Sequence, residues 1–143
     1  MRLHAFAPGQ RFQTRRAPVD PAEVAAFAAA YDPQPLHLDP EAAARGAFGR
    51  VVASGYHTLA LSWRLWVDVG AFGEDVLAGL GLDEVRWHHP VYPGDTLAAE
   101  VEVLEARPSR RHPDRGVVRL GVTVRNQAGT VVLTYRTAAL VRA

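Results

Sequence analysis

Gly55-Tyr56-His57-Thr58-Leu59-Ala60-Leu61-Ser62-Trp63-Arg64-Leu65-Trp66-Val67-Asp68-Val69 is the stretch on which the fold turns. It holds no proline, and no glycine beyond its first residue, so it reads as a helix. Apolar side chains fall on nearly every face, with Thr58, Ser62, Arg64 and Asp68 interspersed. A helix that is apolar most of the way round is expected to be buried. What buries it follows in the sequence. Strands are expected at Leu82–Trp87, Thr96–Ala106, Val117–Asn126 and Val131–Val141. Val118, Leu120, Val122 and Val124 alternate with polar or small residues, as do Leu133, Tyr135, Thr137 and Ala139. Asn126-Gln127-Ala128-Gly129 reads as a hairpin turn and Arg107–Gly116 as a longer polar loop. Short connections imply antiparallel pairing. The expectation is an α+β fold in which a curved antiparallel sheet wraps around a central buried helix. Glycine-rich Gly70–Gly81 is expected to be an irregular connection. Such a sheet leaves an edge strand with unpaired backbone groups, which a second copy would satisfy.

Upstream of the helix the signals are local. A short strand is expected within Arg11–Arg16. Asp20 then suits a helix cap and Pro21 the first helical position. Val24, Phe27, Ala28 and Tyr31 form one apolar stripe, and Pro33 stops the helix near Tyr31. Asp39-Pro40-Glu41 repeats the start signal for a shorter helix that Gly46 ends, and Ala47–Val52 is a loop. No repeat or linker interrupts residues 1–143, so one domain is expected.

Composition excludes several function classes. The chain is 48% hydrophobic and 22% charged, with net charge +1, so no strong field favours nucleic acid or an anionic membrane. With no cysteine there is no thiol nucleophile, disulfide or thiolate metal site. No apolar run reaches the length of a membrane span, and the N-terminus lacks a long apolar core, so a cytoplasmic protein is the expectation.

The chemistry centres on Tyr31-Asp32-Pro33-Gln34-Pro35-Leu36-His37. Each proline pushes the residue before it out of the α region, so the segment is expected to run extended. It hangs from the end of a packed helix and holds an acid and an imidazole outside any helix. Asp32 and His37 sharing a water would form a general acid/base pair. The same residue types also occur as a turn-forming aspartate and a hydrogen-bonded core histidine. Gly55, after Ala53-Ser54, stands where a helix N-terminus presents free N–H groups, an oxyanion-hole candidate. Glycine there equally relieves packing where the helix enters the core.

In order along the chain, Asp32-Pro33-Gln34-Pro35-Leu36-His37 resembles the D-x-N-P-L-H segment of the MaoC-like family of (R)-specific enoyl-CoA hydratases. The resemblance continues through Phe48-Gly49 to Ser54-Gly55, and to Pro90-Val91-Tyr92-Pro93-Gly94-Asp95-Thr96-Leu97, similar to that family's P-V-x-x-G-D-x-L. It implies a hotdog fold and reversible hydration of a trans-2-enoyl-CoA thioester. By matching position it implies Asp32 and His37 as the acid/base pair and the Gly55 N–H as thioester oxyanion donor. Ser54 and Gln34 are implied beside the substrate, although the family often has histidine and usually asparagine at those two positions. It implies no metal or redox cofactor, coenzyme A being part of the substrate. It also implies a homodimer, or a higher oligomer of dimers, with the acyl-CoA cleft between protomers. A hotdog acyl-CoA thioesterase and a non-catalytic acyl-CoA-binding protein are the alternatives.

Other candidates are weaker. Ser54-Gly55-Tyr56-His57 lacks the G-x-S-x-G elbow of serine hydrolases. Adjacent His88 and His89 are expected on opposite faces of a strand and so make no metal pair. Trp63 and Trp66 read as core or as acyl-pocket walls. Arg107, Arg110, Arg111 and Arg115 read as a solvated loop or as contacts for coenzyme A phosphates.

Overall fold

The computed structural model describes residues Met1–Ala143. Two short strands, β1 (Arg11–Gln13) and β2 (Ala17–Pro18), precede three helices: α1 (Pro21–Tyr31), α2 (Pro35–Leu38) and α3 (Pro40–Ala44). Helix α4 (Gly55–Val69) follows, then β3 (Val76–Trp87), β4 (Thr96–Pro108), β5 (Arg115–Arg125) and β6 (Val131–Arg142). The strands form one antiparallel sheet in the order β1-β4-β5-β6-β3, with β2 also paired to β4.

The alternation in β4, β5 and β6 delivers one face to the core. Val101, Val103, Val118, Leu120, Val124, Leu133 and Val141 are fully buried in one core cluster with Trp66 of α4, whose ring meets Phe12 and Phe72 edge-on. Leu65 and Trp66 are the deepest apolar side chains of the helix. This is the hotdog arrangement, a curved sheet around a central helix.

Four expectations are corrected. Gly70–Gly81 is not an irregular connection, because β3 begins at Val76 and pairs with β6 as far as Trp87. Glycine weakens a strand locally, but a ladder to β6 overrides that preference. Register shifts mark the strand, and Glu84 near the last has φ 51°. Helix α4 is not buried all round. Tyr56 and Val67 are exposed, while His57, Thr58 and Ser62 face inward. Helix α1 buries Val24 and Ala28, but Tyr31 is 79% exposed. The strand expected at Arg11–Arg16 ends at Gln13, and a separate short pairing to β4 follows at Ala17–Pro18 as β2.

Candidate active site

Asp32 closes α1, its N–H donating to Ala28 O. Gln34 is extended, at ψ 144°, as a residue before proline must be. The segment does not stay extended, however. Proline constrains its own φ and the residue before it, and leaves the residues after it free. Pro35 therefore starts a single helical turn, α2, with His37 on it. That turn brings His37 back to Asp32, with Nε2 3.2 Å from Oδ2.

Two more elements lock the pair. Nδ1 of the buried His37 lies 2.7 Å from Val52 O. The stretch before α4 is itself pinned, with the Val52 N–H donating to Leu36 O and the Ala53 N–H to Val91 O. Ser54, fully buried, caps α4 by accepting from the Tyr56 N–H and donates from Oγ to Asp32 Oδ2 at 2.7 Å. From the other side the Gln34 amide donates to Asp32 Oδ1 at 2.6 Å. Sequence reading put Ser54 and Gln34 against the substrate. Neither is among the residues lining the cavity described below, and both hydrogen-bond the Asp32 carboxylate.

These contacts define the electrostatics. The Gln34 amide, then the Ser54 hydroxyl, hold the Asp32 carboxyl below its ordinary range, against burial and with help from His37. Asp32 therefore remains a carboxylate at neutral pH. Val52 O can only accept, so Nδ1 carries a hydrogen. With a hydrogen on Nε2 the imidazole donates to Asp32; without it, Nε2 offers a lone pair to water. The site thus sets a nitrogen that can hold or release a proton beside an anion that stays charged.

Asp32 and His37 line a cavity of about 360 Å³ with Gly55 and Thr58 of α4, Phe48 of the preceding loop, and Trp87, His88 and His89. The Gly55 N–H begins the helix without an acceptor in the chain. Its missing side chain has a visible use. A Cβ there would lie 2.6 Å from the Trp87 indole, whose Nε1–H donates to Gly55 O at 2.9 Å. The packing reading of this glycine therefore holds, and the free N–H lets the donor reading stand beside it.

Tyr56, Thr58, Phe48 and Trp87 are site residues that the sequence reading missed. Thr58 and Tyr56 follow from the helix start, but nothing local marks Trp87, which arrives from the end of β3. His88 and His89 were expected on opposite faces. The strand ends at Trp87, so both reach the cavity. Each has a partner for one ring nitrogen, Thr134 Oγ1 and Pro90 O respectively. No group of three or more His, Asp or Glu side chains is arranged to hold a metal. Trp66 is core, and Trp63 is only partly buried. Arg107 pairs with Glu105 and Arg115 with Asp114, and none of the loop arginines lines the cavity.

Residues 4–126 match the family described as MaoC like domain. The uncharacterized protein YdeM of Bacillus subtilis is 35% identical over 142 residues, 99% of each chain. The (R)-specific enoyl-CoA hydratase of Aeromonas caviae is 36% identical over 118 residues, covering 79% of each. Among solved structures, the MaoC-like dehydratase from Rhodospirillum rubrum superposes with TM-score 0.91 at 40% identity, over 99% of this chain and 97% of that one.

Proposed function

This chain belongs to the MaoC-like domain family, and from that premise we propose that it catalyses reversible hydration of a trans-2-enoyl-CoA to the 3-hydroxyacyl-CoA. The carrying observation is the Asp32–His37 pair, Nε2 to Oδ2 3.2 Å, on the wall of a cavity that also includes the free end of α4. In the proposed reaction the Gly55 N–H hydrogen-bonds the thioester oxygen and draws electron density from C3. A water held between Asp32 and His37 adds its oxygen to C3. One of its protons passes to the pair, and a proton returns from the pair to C2. The bonds formed are C3–O and C2–H; those broken are one O–H of water and the C2–C3 π bond. The reverse steps dehydrate the alcohol. His37 Nε2 is the group suited to exchange the proton. Asp32, held as an anion, orients the water and compensates the imidazolium.

No metal or redox cofactor enters this scheme, because Asp32, His37 and a backbone donor supply every group that hydration uses. The proposed biological unit of this single domain is a homodimer, or a higher oligomer of dimers. Its support is β3, a twelve-residue edge strand paired only to β6, with Leu80 and Leu82 exposed along it. The proposed setting is cytoplasmic fatty acid metabolism; no helix is long and apolar enough to cross a membrane.

The test is loss of enoyl absorbance on adding the protein to trans-2-enoyl-CoA substrates, with free thiol followed in parallel. Hydration without thiol release supports the proposal. Thiol release instead would identify a thioesterase using the same donor. Binding without turnover of any substrate would identify an acyl-CoA-binding protein.

A further inference from the structure

Arg50 stands at the rim of the reaction cavity, between Phe48 and Val52, which line it. It is exposed, and its guanidinium forms no ion pair and no hydrogen bond with the rest of the chain. It lies instead over the face of Tyr92, its central carbon 3.5 Å from the ring centroid. Such stacking holds the cation in place and leaves its N–H donors unused.

Tyr92 is a fixed platform. Its N–H donates to Oδ2 of the buried Asp95 at 2.9 Å, and Gln127 Nε2 donates to Asp95 Oδ1 at 3.0 Å. The same ring meets the imidazole of His89 nearly at right angles, with centroids 6.5 Å apart. His89 lines the cavity. Its Nδ1 lies 2.8 Å from Pro90 O and so carries a hydrogen, while Nε2 has no partner in the chain. One aromatic ring thus braces two groups whose polar atoms are free.

We propose that Arg50, braced on Tyr92 and assisted by His89, recognises a phosphate on the pantetheine arm of the thioester substrate. This rests on the hydratase reading above and adds how the non-reacting end of the substrate is bound. The charges orient that substrate. Asp32 is an anion on the cavity wall and Arg50 a cation at its rim, so an anionic end stays at the rim and the neutral enoyl end meets the acid/base pair. Arg50 is five residues from Gly55, at most roughly 17 Å along an extended chain, a span that a pantetheine arm bridges. A guanidinium matches phosphate oxygens with paired N–H bonds. The phosphate next to pantetheine is common to coenzyme A and to a carrier-protein arm; coenzyme A carries others on its nucleotide.

The experiment measures binding of coenzyme A, phosphopantetheine and pantetheine to wild type, Arg50→Gln, Tyr92→Leu and Arg110→Gln, with hydration of crotonyl-CoA, melting and sedimentation for each. Wild type should bind coenzyme A about tenfold or more tightly than pantetheine, as charge-assisted contacts provide. Arg50→Gln should erase that preference without weakening pantetheine, and Tyr92→Leu should reduce it. Arg110→Gln removes an equal charge from the β4–β5 loop and should leave it intact. Equal dependence on Arg50 for phosphopantetheine and coenzyme A upholds the proposal and assigns the phosphate shared with carrier proteins. Dependence for coenzyme A alone upholds it and assigns a nucleotide phosphate. A folded Arg50→Gln that keeps the preference overturns it, as does equal loss in Arg110→Gln. Loss accompanied by altered sedimentation makes Arg50 a contact between protein copies and also overturns it. A wild type that binds coenzyme A through Arg50 but does not hydrate crotonyl-CoA overturns the hydratase reading alone.

Discussion

Asp32→Asn and His37→Ala should disable the enzyme in a way that is not multiplicative, and their costs in stability should differ. Asparagine keeps the shape of aspartate but replaces one oxygen with a donor. If its oxygen occupies the Oδ2 position, it still accepts from Ser54 and faces His37. Its NH₂ then meets Gln34, which is exposed and can turn its amide to present oxygen. Every hydrogen bond can be remade, so the melting transition should stay within about 1 kcal/mol of wild type. What is lost is the charge that orients water and compensates the imidazolium. His37→Ala removes a buried ring and the Nδ1 bond to Val52 O, so it should cost about 2–3 kcal/mol. Either change should lower kcat by roughly 10²–10⁴, the range for general acid–base catalysis. If the two act on one water, as proposed, the double variant should be little slower than the worse single one. The assay is a double-mutant cycle in hydratase kcat, with a melting curve for every protein. Effects that multiply would refute a shared water. Full activity in either folded variant would return the pair to an ordinary turn aspartate and a core histidine.

Ser54→Ala should lose about 1 kcal/mol as the α4 cap goes, and should also move the acid limb of the pH–kcat/KM profile upward. The sign follows from Asp32: its folded carboxyl titrates below its ordinary range, so the active anion and its stabilising contacts persist above the unfolded pKa and fail as pH falls through the folded one. Removing one contact that holds it down shifts that failure to higher pH; a melting change with an unchanged profile would make Ser54 a cap only. Gly55→Val should displace the Trp87 indole, seen as altered tryptophan fluorescence, and should lower activity while the chain still folds; normal fluorescence with full activity would contradict both roles given to this glycine. His57 is buried on α4, its ring stacked on Phe27 at 4.9 Å, and burial lowers its pKa from 6.5 against an opposing effect of Glu23. Stability from the neutral ring is complete above the unfolded pKa and declines as pH falls through it toward the lower folded one, so urea midpoints should drop as the pH is taken below 6.5. His57→Leu should flatten that portion of the curve, and an identical slope in the variant would assign it to other groups.

The legible parts of this chain were those encoded by period. Val118 to Val124 and Leu133 to Ala139 announce strands because one face must be buried, and they are buried. Gly55–Val69 is likewise a helix with the stated ends. The face that α4 turns outward was not legible, since apolar residues on all sides carry no direction. Strand β3 was hidden for a different reason: its glycines argue against a strand locally, and only pairing with β6 makes it one. At the site, Asp32 and His37 were readable as an acid and an imidazole close in sequence, but the helical turn after Pro35 that brings them together was not, because proline leaves the residues after it free. The hydrogen bonds of Ser54 and Gln34 to the Asp32 carboxylate were not legible, because sequence cannot show toward which neighbour a hydroxyl or amide points. Trp87, thirty-two residues from the glycine that makes room for it, has no local signature at all.

The serine at the start of α4 ties two events together. Its single oxygen receives the Tyr56 N–H of the central helix and donates to the acid of the reaction cavity. Helix initiation and assembly of the Asp32–His37 pair are therefore parts of one cooperative unit, and that unit includes the fully buried Ser54 and Leu65. Sites carried on loosely attached loops fail before the rest of a protein melts. Here heat should remove activity and core structure at the same temperature, with no folded but idle enzyme between them.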